Sequence, residues 1–274
     1  MGEMPLVSVV ITTKNEEKNI ENCIKSILDQ TYPKDKIEII VVDNNSDDRT
    51  KEIARKFTDK VFDKWPERSA QRNLGVEKSE GEHFLYLDAD MSLDKNVIIE
   101  CVESIKNNSE IIALYIPEII MGKKFFSRVR KFERSFYDGT VVDCARFINK
   151  DSFLKVGEFD GGMTGPEDWD LDKKLRNIGK IGLVKATLYH NETEFELKKY
   201  LNKKGYYAKS FDKYIQKWGR NDPDIKKQFG LWYRYFGVFL EDGKWKKLVA
   251  HPILTSGMYF LRFLVGVNYL IGKG

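Results

Sequence analysis

The first 116 residues alternate between short apolar strands and amphipathic helices, and this alternation limits the folds open to the chain. Val7–Thr12 and Ile37–Val42 are β-branched runs of strand length, typical of strands covered on both faces. Between them Ile20, Ile24 and Ile27 recur at helical spacing. Strands and helices in alternation predict a parallel sheet. We therefore expect a doubly wound α/β half, which binds ligands beyond the carboxyl ends of its strands.

Further strands and helices extend this pattern to residue 116. The predicted elements are a strand at 60–62, a helix at 68–77, a strand at 83–87, a helix through Ile98, Val102 and Ile105, and a strand at 111–116. Three polar stretches, Thr12–Asn15, Asp43–Asp48 and Asp88–Asp90, follow predicted strands and are expected at the ligand-binding edge. Thr13 and Glu16 also have the spacing of a capping box for the first helix.

The composition is that of a folded protein without a disulfide framework. Hydrophobic residues make up 42% of the 274 residues, and 20 glycines and seven prolines are too few for a low-complexity or fibrous chain. Cys23, Cys101 and Cys144 are odd in number and lack metal-binding spacing, which favours reduced thiols in a cytosolic chain. Because the apolar run Val7–Ile11 begins almost at once and no cleavage-like site follows it, we expect no signal peptide.

Two carboxylates, Asp88 and Asp90, follow the predicted strand 83–87 at alternate positions. Alternate residues of an extended chain point the same way, so both side chains can reach one cation. Mg²⁺ and Mn²⁺ bind carboxylate oxygens and retain coordination positions for phosphate, which a nucleotide-diphosphate leaving group requires. Two alternatives stay open. One is a solvated turn, and the other is the nucleophile motif of haloacid-dehalogenase-type phosphatases, although two strand–helix units precede it here.

Five motifs then occur in a fixed order along the chain. They are Val9–Glu16, Val41–Asp48, Arg72–Gly75, Asp88–Asp90 and Glu167–Leu171. With this order and spacing, the chain resembles family 2 glycosyltransferases of the GT-A fold over about residues 5–195. The resemblance implies an α/β fold of the GT-A class, Rossmann-like and doubly wound with a mostly parallel sheet. It also implies an enzyme that uses a nucleotide-diphospho-sugar.

The resemblance implies that the polar loops after the first two strands hold the nucleoside of the donor. The carboxylate of Asp43 can accept hydrogen bonds from uracil or guanine, so it does not choose between UDP and GDP sugars. Its alternative role is a helix-capping turn. Arg68 and Arg72 can pair with phosphate or pack on the base, or they are surface charges. The expected donor-binding residues are Thr12, Thr13, Asn15, Glu16, Asp43, Ser46, Arg68, Arg72, Asp88 and Ala89.

Asp168 is the expected general base, because a hydroxyl that attacks an anomeric carbon must lose its proton as the bond forms. The resemblance gives this role to the acidic pair before Trp-Asp-Leu, in a single displacement that inverts the anomeric configuration. Glu167 then orients the acceptor or the helix end. The alternative for this pair is a favourable interaction with the helix dipole. The implied metal residues are Asp90 as direct ligand, Asp88 as ribose or metal-water contact, and His190, whose alternative is a structural role.

The C-terminal region is strongly basic and ends in an apolar stretch. Residues 197–274 contain 16 lysines and arginines against five acids, whereas residues 1–196 contain 30 against 37. This asymmetry predicts an anionic partner. A spanning helix within Leu248–Ile271 is disfavoured because Arg262 near its middle costs at least about 2.5–3.5 kcal/mol. We expect residues 226–271 to lie in a membrane interface; a core or dimer helix is the alternative. The interfacial aromatic residues would be Trp232, Tyr233, Tyr235, Phe236, Phe239 and Trp245.

Together these features predict three regions: a nucleotide-sugar-binding half at 1–116, an acceptor-binding and catalytic half at 117–196, and a membrane-associating helical tail at 197–274. The predicted reaction is inverting transfer from a UDP- or GDP-sugar to a hydroxyl of a glycan or lipid-linked acceptor. It uses Mn²⁺ or Mg²⁺ at the cytoplasmic face of a membrane. No nucleic-acid partner is expected, because no nucleic-acid-binding pattern occurs.

Two further alternatives remain for the function. A polyprenyl-phosphate acceptor is possible, but a phosphate oxygen is already anionic and needs no base, so the Glu167–Asp168 pair favours a hydroxyl acceptor. A non-catalytic membrane-docking module that retains a nucleotide-binding fold is the second. Intact Asp88, Asp90 and Asp168 argue against that module.

Overall fold

A computed structural model describes residues 3–271. The strands are β1 (Val7–Thr13), β2 (Ile37–Asp43), β3 (Val61–Asp63), β4 (His83–Asp88), β5 (Met91–Leu93), β6 (Ile111–Tyr115), β7 (Glu118–Met121), β8 (Phe147–Asn149), β9 (Lys180–Leu183) and β10 (Leu188–Asn191). The helices are α1 (Ile20–Leu28), α2 (Thr50–Ala54), α3 (Arg68–Glu77), α4 (Val97–Asn107), α5 (Phe125–Arg134), α6 (Lys150–Lys155), α7 (Glu167–Arg176), α8 (Leu197–Ala208), α9 (Phe211–Trp218), α10 (Pro223–Phe229), α11 (Val238–Leu240), α12 (Trp245–Ala250) and α13 (Pro252–Ile271).

The chain divides into two compact units. Unit 1 runs to Pro117 and adds Cys144–Gly162 and Glu167–His190. Unit 2 consists of Glu118–Asp143, Met163–Pro166 and the residues from Asn191 onward. The functional regions expected at 1–116, 117–196 and 197–274 stay a prediction.

Unit 1 contains a seven-stranded sheet in the order β3-β2-β1-β4-β8-β6-β9. β1 pairs in parallel with β2 and β4, so Thr13 lies opposite Asp43 and Thr12 opposite Asp88. Only β8 runs antiparallel to its neighbours β4 and β6. The predicted α/β fold with a mostly parallel sheet is therefore confirmed, and its carboxyl edge carries the three polar stretches.

Helices cover both faces of this sheet, as the uninterrupted apolar strands require. Val9 and Ile11 of β1 pack with Ile24 of α1 in one buried cluster, whereas Val10 packs with Val76 of α3 in another. A Cβ on Gly75 would lie 2.2 Å from Cγ1 of Val10, so glycine permits α3 to approach β1 this closely. This approach brings the arginines of α3 to the carboxyl edge of the sheet.

One local prediction is wrong. Thr13 and Glu16 do not form a capping box, because β1 continues through Thr13 and α1 begins only at Ile20. Instead, Glu16 accepts a hydrogen bond from the side chain of Asn19 at 2.7 Å. The extra residues form a loop, and this loop contributes to the candidate site described below.

Unit 2 is built around α5 and α13. Its buried cluster includes Val129 and Phe132 from α5, Met258 and Leu261 from α13, and Phe239. Arg262 is also buried and donates to Glu133 Oε1 at 3.0 Å and to the hydroxyl of Tyr137. The arginine that disfavours a spanning helix is therefore a core residue of this unit.

The six aromatic residues expected at a membrane interface differ in burial, and Tyr235 among them is half-buried. Tyr233 and Phe239 are buried in the unit 2 core, so their assignment to an interface is corrected. Trp232, Phe236 and Trp245 are exposed. None of the helices between residues 3 and 271 combines the length and the apolar content that crossing a bilayer requires.

Candidate active site

The loops after β1 and β2 are joined by hydrogen bonds at the carboxyl edge of the sheet. The Asn15 amide donates to Ser46 Oγ at 2.8 Å, and the Asp47 amide donates to Asn15 Oδ1 at 2.9 Å. Asn15 and Asn45 adopt positive φ angles of 54° and 50°, a conformation that asparagine tolerates better than most residues. The two loops expected to hold a nucleoside thus form one framework.

Asp43 lies at the centre of this framework and is fully buried. Its Oδ1 accepts from the Ser46 amide at 2.7 Å, and its Oδ2 accepts from Ser46 Oγ at 2.6 Å. Such contacts are those of the turn proposed as its alternative role. A carboxylate has further lone pairs, so a role toward the donor base stays a prediction.

Asp88, at the end of β4, is surrounded by donors from two elements. Its Oδ1 accepts from Thr12 Oγ1 at 3.0 Å and from Arg72 at 3.4 Å, and its Oδ2 accepts from Arg68 at 3.3 Å. Two guanidinium groups therefore balance its charge. Ala89 follows in a buried position, with its amide bonded to the carbonyl of Thr12.

Arg72 is the residue that links this edge of the sheet to α7. Its side chain is 1% exposed, and its NH1 donates to Asp168 Oδ1 at 2.7 Å. The guanidinium carbon lies 4.5 Å from the centre of the Tyr86 ring and 5.2 Å from that of Phe159, so aromatic faces cover it. The same arginine thus contacts Asp88 and Asp168, which are 80 residues apart in the chain.

Glu167 and Asp168 begin α7 and differ in their surroundings. Glu167 is 2% exposed, and burial together with the negative charge of Asp168 raises the pKa of Glu167 to about 7. Asp168 is more exposed, and its Oδ1 accepts from both Arg72 and the Tyr86 hydroxyl. Within residues 3–271 no donor contacts its Oδ2. The raised pKa favours the protonated form of Glu167 more than in an exposed glutamate.

Asp90 and His190 are brought together by the antiparallel pairing of β5 and β10. His190 lies opposite Met91, the residue after Asp90, and its Nε2 is 3.2 Å from Asp90 Oδ2. Asp88 contacts Thr12 and the two arginines, and its role beside a metal ion stays a prediction. In the part of the chain that the structure describes, no three His, Cys, Asp or Glu side chains form a ready metal site.

Several buried polar atoms at this edge have no hydrogen-bond partner among the described residues. They are Thr13 Oγ1, Arg72 Nε, Asp90 Oδ1 and Glu167 Oε2. Because buried polar atoms are almost always paired, such atoms indicate a place where a bound group completes the contacts. Asp90 Oδ1 and the adjacent imidazole of His190 are ligand types that fit Mn²⁺ or Mg²⁺. Water and phosphate oxygens would fill the remaining coordination positions of the ion.

Three residues of the site were not identified from the sequence. Tyr86 donates to Asp168, Phe159 covers Arg72, and Asn73 exchanges hydrogen bonds of 3.0 and 3.1 Å with the backbone of Phe159. The signal for Tyr86 was present, because it alternates with Asp88 on the same strand. Phe159 gave no local signal, since only the fold brings it to α3.

Comparison with known proteins yields one family and several relatives. The family model described as glycosyl transferase family 2 matches residues 8–159. Glycosyltransferase AglE from Haloferax volcanii is 44% identical over 96 residues, which cover 32% of each chain. The probable glycosyltransferase YdaM from Bacillus subtilis is 36% identical over 269 residues, or 88% of this chain and 64% of YdaM. The chain thus spans less than two thirds of either relative.

The fold has counterparts among solved structures. The mannosyltransferase PcManGT from Pyrobaculum calidifontis, solved with GDP-Man and Mn²⁺, superposes with a TM-score of 0.65 at 18% identity. The match covers 99% of this chain and 89% of PcManGT. At this identity the similarity establishes the fold.

Proposed function

The chain belongs to glycosyl transferase family 2, and from this premise we propose that it transfers a sugar from a nucleotide-diphosphate donor to a hydroxyl group with inversion at the anomeric carbon. The observation that carries the proposal is the contact of one buried arginine, Arg72, with both Asp88 and Asp168. A donor-side residue and a candidate base are thereby held at one site. The family assignment sets aside the phosphatase alternative for Asp88.

Asp168 is the proposed general base. Its Oδ1 is held by Arg72 and Tyr86, so the carboxylate is oriented while Oδ2 stays free to accept the proton of an acceptor hydroxyl. Glu167 is its positioning neighbour, because burial favours its protonated form and keeps a second negative charge away from the base. The attacking oxygen of a polyprenyl phosphate is already anionic, so such an acceptor would not need this general base.

The donor is proposed to be a UDP- or GDP-sugar bound with Mn²⁺ or Mg²⁺. PcManGT, which shares the fold, was solved with GDP-Man and Mn²⁺. Here Asp90 and His190 would hold the cation, and the cation would neutralise the diphosphate as it leaves. Thr12, Arg68 and Asp88 would contact the donor beside them.

Substitution of Asp90 by alanine should abolish the metal dependence of donor binding. Wild-type protein should bind UDP or GDP tightly in Mn²⁺ and weakly in EDTA, because the carboxylates repel a diphosphate that lacks a cation. Asp90→Ala should bind weakly in both buffers. Isothermal titration calorimetry with each nucleotide gives the four affinities and identifies the base that the protein prefers.

Asp94→Ala is the matched control for this experiment. Asp94 is also acidic and lies four positions further along the chain, where its carboxylate caps the backbone before α4. The control should retain the metal dependence of the wild type. Equal nucleotide affinity with and without Mn²⁺ in the wild type would show that the donor is bound without a cation.

We also propose that unit 2 docks on an anionic membrane surface. On α13, Ile253, Phe260 and Phe263 are exposed at helical spacing, whereas Met258 and Leu261 on the opposite face are buried. Exposed Trp245 and Val249 of α12 add to this apolar surface, and Lys246 and Lys247 beside them are exposed. An apolar surface bordered by lysines is typical of interfacial helices. The cytoplasmic face stays a prediction.

The triple variant Ile253→Ser, Phe260→Ser, Phe263→Ser should lose most of its binding to anionic liposomes in a flotation assay. These side chains face solvent, so their removal leaves the unit 2 core intact, whereas truncation after Lys247 would remove Met258, Leu261 and Arg262 from it. Wild-type binding should weaken but persist at high salt, because only the lysine contribution is screened.

Leu154→Ser, Leu183→Ser is the matched control, since both residues are exposed leucines of unit 1. This variant should float like the wild type. If the triple variant also floats like the wild type, the apolar face of α13 does not dock on the membrane.

A further inference from the structure

Unit 2 contains a cluster of basic side chains that its own acids do not balance. Glu133 accepts from Arg262 Nε at 3.0 Å and lies 3.5 Å from Arg130 NH1. Burial opposes its ionisation, yet Arg262 and Arg130, with help from Arg234, lower the pKa of Glu133 to about 2. This carboxylate is therefore ionised and shared among several cations.

The other contacts of these cations are with aromatic rings and one further acid. Arg130 pairs with Glu192 at 3.2 Å and lies 5.0 Å from the centre of the Tyr200 ring. Lys204 lies 5.4 Å from the same ring centre. Arg234 and Arg262 lie 5.5 and 5.9 Å from the centre of the Tyr137 ring. Cation–π contacts of this kind orient a cation without neutralising it.

Lys204 and Arg234 lack an acidic partner. Within residues 3–271 neither has a carboxylate oxygen within 4.0 Å. Both side chains are half-buried, so they remain accessible from solvent. Against the carboxylates Glu133 and Glu192, the three guanidinium groups of Arg130, Arg234 and Arg262 leave an excess of one positive charge, which becomes two when Lys204 is protonated.

Two independent features show that this excess is unsatisfied. Burial and the charge of Arg130 lower the pKa of Lys204 to about 7, so the ammonium group is destabilised where it lies. Arg130 Nε is buried and has no hydrogen-bond partner among the described residues, so one of its donors lacks an acceptor. A bound anion would stabilise Lys204 and supply an acceptor for Arg130.

We propose that Arg130, Lys204 and Arg234 form a binding site for a phosphate group carried by the acceptor. A phosphate monoester at pH 7 has a charge of about −1.5 to −2, which matches the excess, and guanidinium groups pair with its oxygens in a fixed geometry. The phosphate site itself does not depend on the proposed function. Only the inference that the acceptor carries this phosphate rests on it.

Titration of inorganic phosphate at constant ionic strength tests the site. Lys204→Met keeps the length of the side chain and removes the charge, and it should weaken phosphate binding at least tenfold. Lys203→Met removes the same charge one position away, where the ammonium lies 5.9 Å from the Tyr207 ring centre, and should bind like the wild type. Equal losses in the two variants, or no loss in either, would overturn the proposal.

Two further measurements separate this site from the donor site and from a structural role. The affinity of both variants for UDP and GDP should equal that of the wild type, since the donor residues belong to unit 1. Without phosphate, the melting temperature of Lys204→Met should equal or exceed that of the wild type, because a repelled cation has been removed. A fall in melting temperature would assign Lys204 a structural role instead.

Vesicle binding distinguishes a phosphate on a lipid from a phosphate on a soluble acceptor. Phosphatidylcholine vesicles with and without phosphatidic acid should be titrated with the wild type and Lys204→Met. Binding that requires both phosphatidic acid and Lys204 identifies a lipid-linked phosphate. Lys204-dependent binding of inorganic phosphate, without such vesicle binding, identifies a soluble phosphorylated acceptor.

Discussion

Replacement of Asp168 by asparagine should lower kcat by about 10²- to 10⁴-fold, the range expected for loss of a general base. Asparagine keeps the shape of the side chain but cannot accept the proton of the attacking hydroxyl. Donor affinity should be unchanged, because the transfer step alone uses this carboxylate. Release of nucleoside diphosphate in the presence of acceptor measures kcat, and calorimetry with the nucleotide measures donor binding.

Glu167→Gln is the matched control for this variant. Since burial raises the pKa of Glu167 to about 7, glutamine resembles the protonated form that this side chain favours, and the loss of kcat should be much smaller. Near-normal turnover by Asp168→Asn, or a larger loss in Glu167→Gln than in Asp168→Asn, would exclude Asp168 as the base.

Replacement of Arg72 by methionine should lower the free energy of unfolding by about 3–5 kcal/mol, the cost of removing one partner from a buried ion pair. Arg72 lies 2.7 Å from Asp168, 3.4 Å from Asp88 and 3.8 Å from Glu167, so its loss leaves three carboxylates facing one another. For a chain of this size, the melting temperature should fall by roughly 6–20 °C. Thermal unfolding followed by circular dichroism measures the fall.

Arg68→Met provides the comparison on the same helix. The side chain of Arg68 is 33% exposed, and its NH1 lies 3.3 Å from Asp88 Oδ2. An exposed ion pair contributes up to about 1 kcal/mol, so this variant should be nearly as stable as the wild type. A similar melting temperature for the two variants would mean that the contacts of Arg72 with Asp88 and Asp168 do not stabilise the fold.

Local sequence pattern was sufficient for β1, β2 and α3, which carry part of the site. The helix predicted at 68–77 is α3, and the strands predicted at Val7–Thr12 and Ile37–Val42 each extend by one residue. These elements follow from periodicity and from apolar runs, which depend on residues a few positions apart. The parallel order of the strands then places Thr12, Asp43 and Asp88 at one edge, and this too was predictable.

Longer-range contacts decided how the acidic and basic residues share their charges. From the sequence Arg72 was a candidate for phosphate, but in the fold it is buried between Tyr86 and Phe159 and bonded to Asp168, 96 positions away. Asp43 stays a candidate for contact with the nucleotide base, and the fold adds two hydrogen bonds from Ser46 to its oxygens. Side-chain burial and partner choice depend on which segments meet in space, and no local spacing encodes that.

The C-terminal region shows the same division. The positive charge and the apolar end of this region are evident from the sequence, because they depend only on which residues occur there. Which side chains face solvent is decided by packing against α5, where a Cβ on Gly257 would lie 2.8 Å from Val129 and from Phe125. The family, the alternation of strands and helices in the first 116 residues and the charge asymmetry thus followed from the sequence alone. Tertiary structure decided that Arg262 pairs with Glu133 in the core while Phe260 and Phe263 remain exposed, because a helix buries only the face that meets a partner.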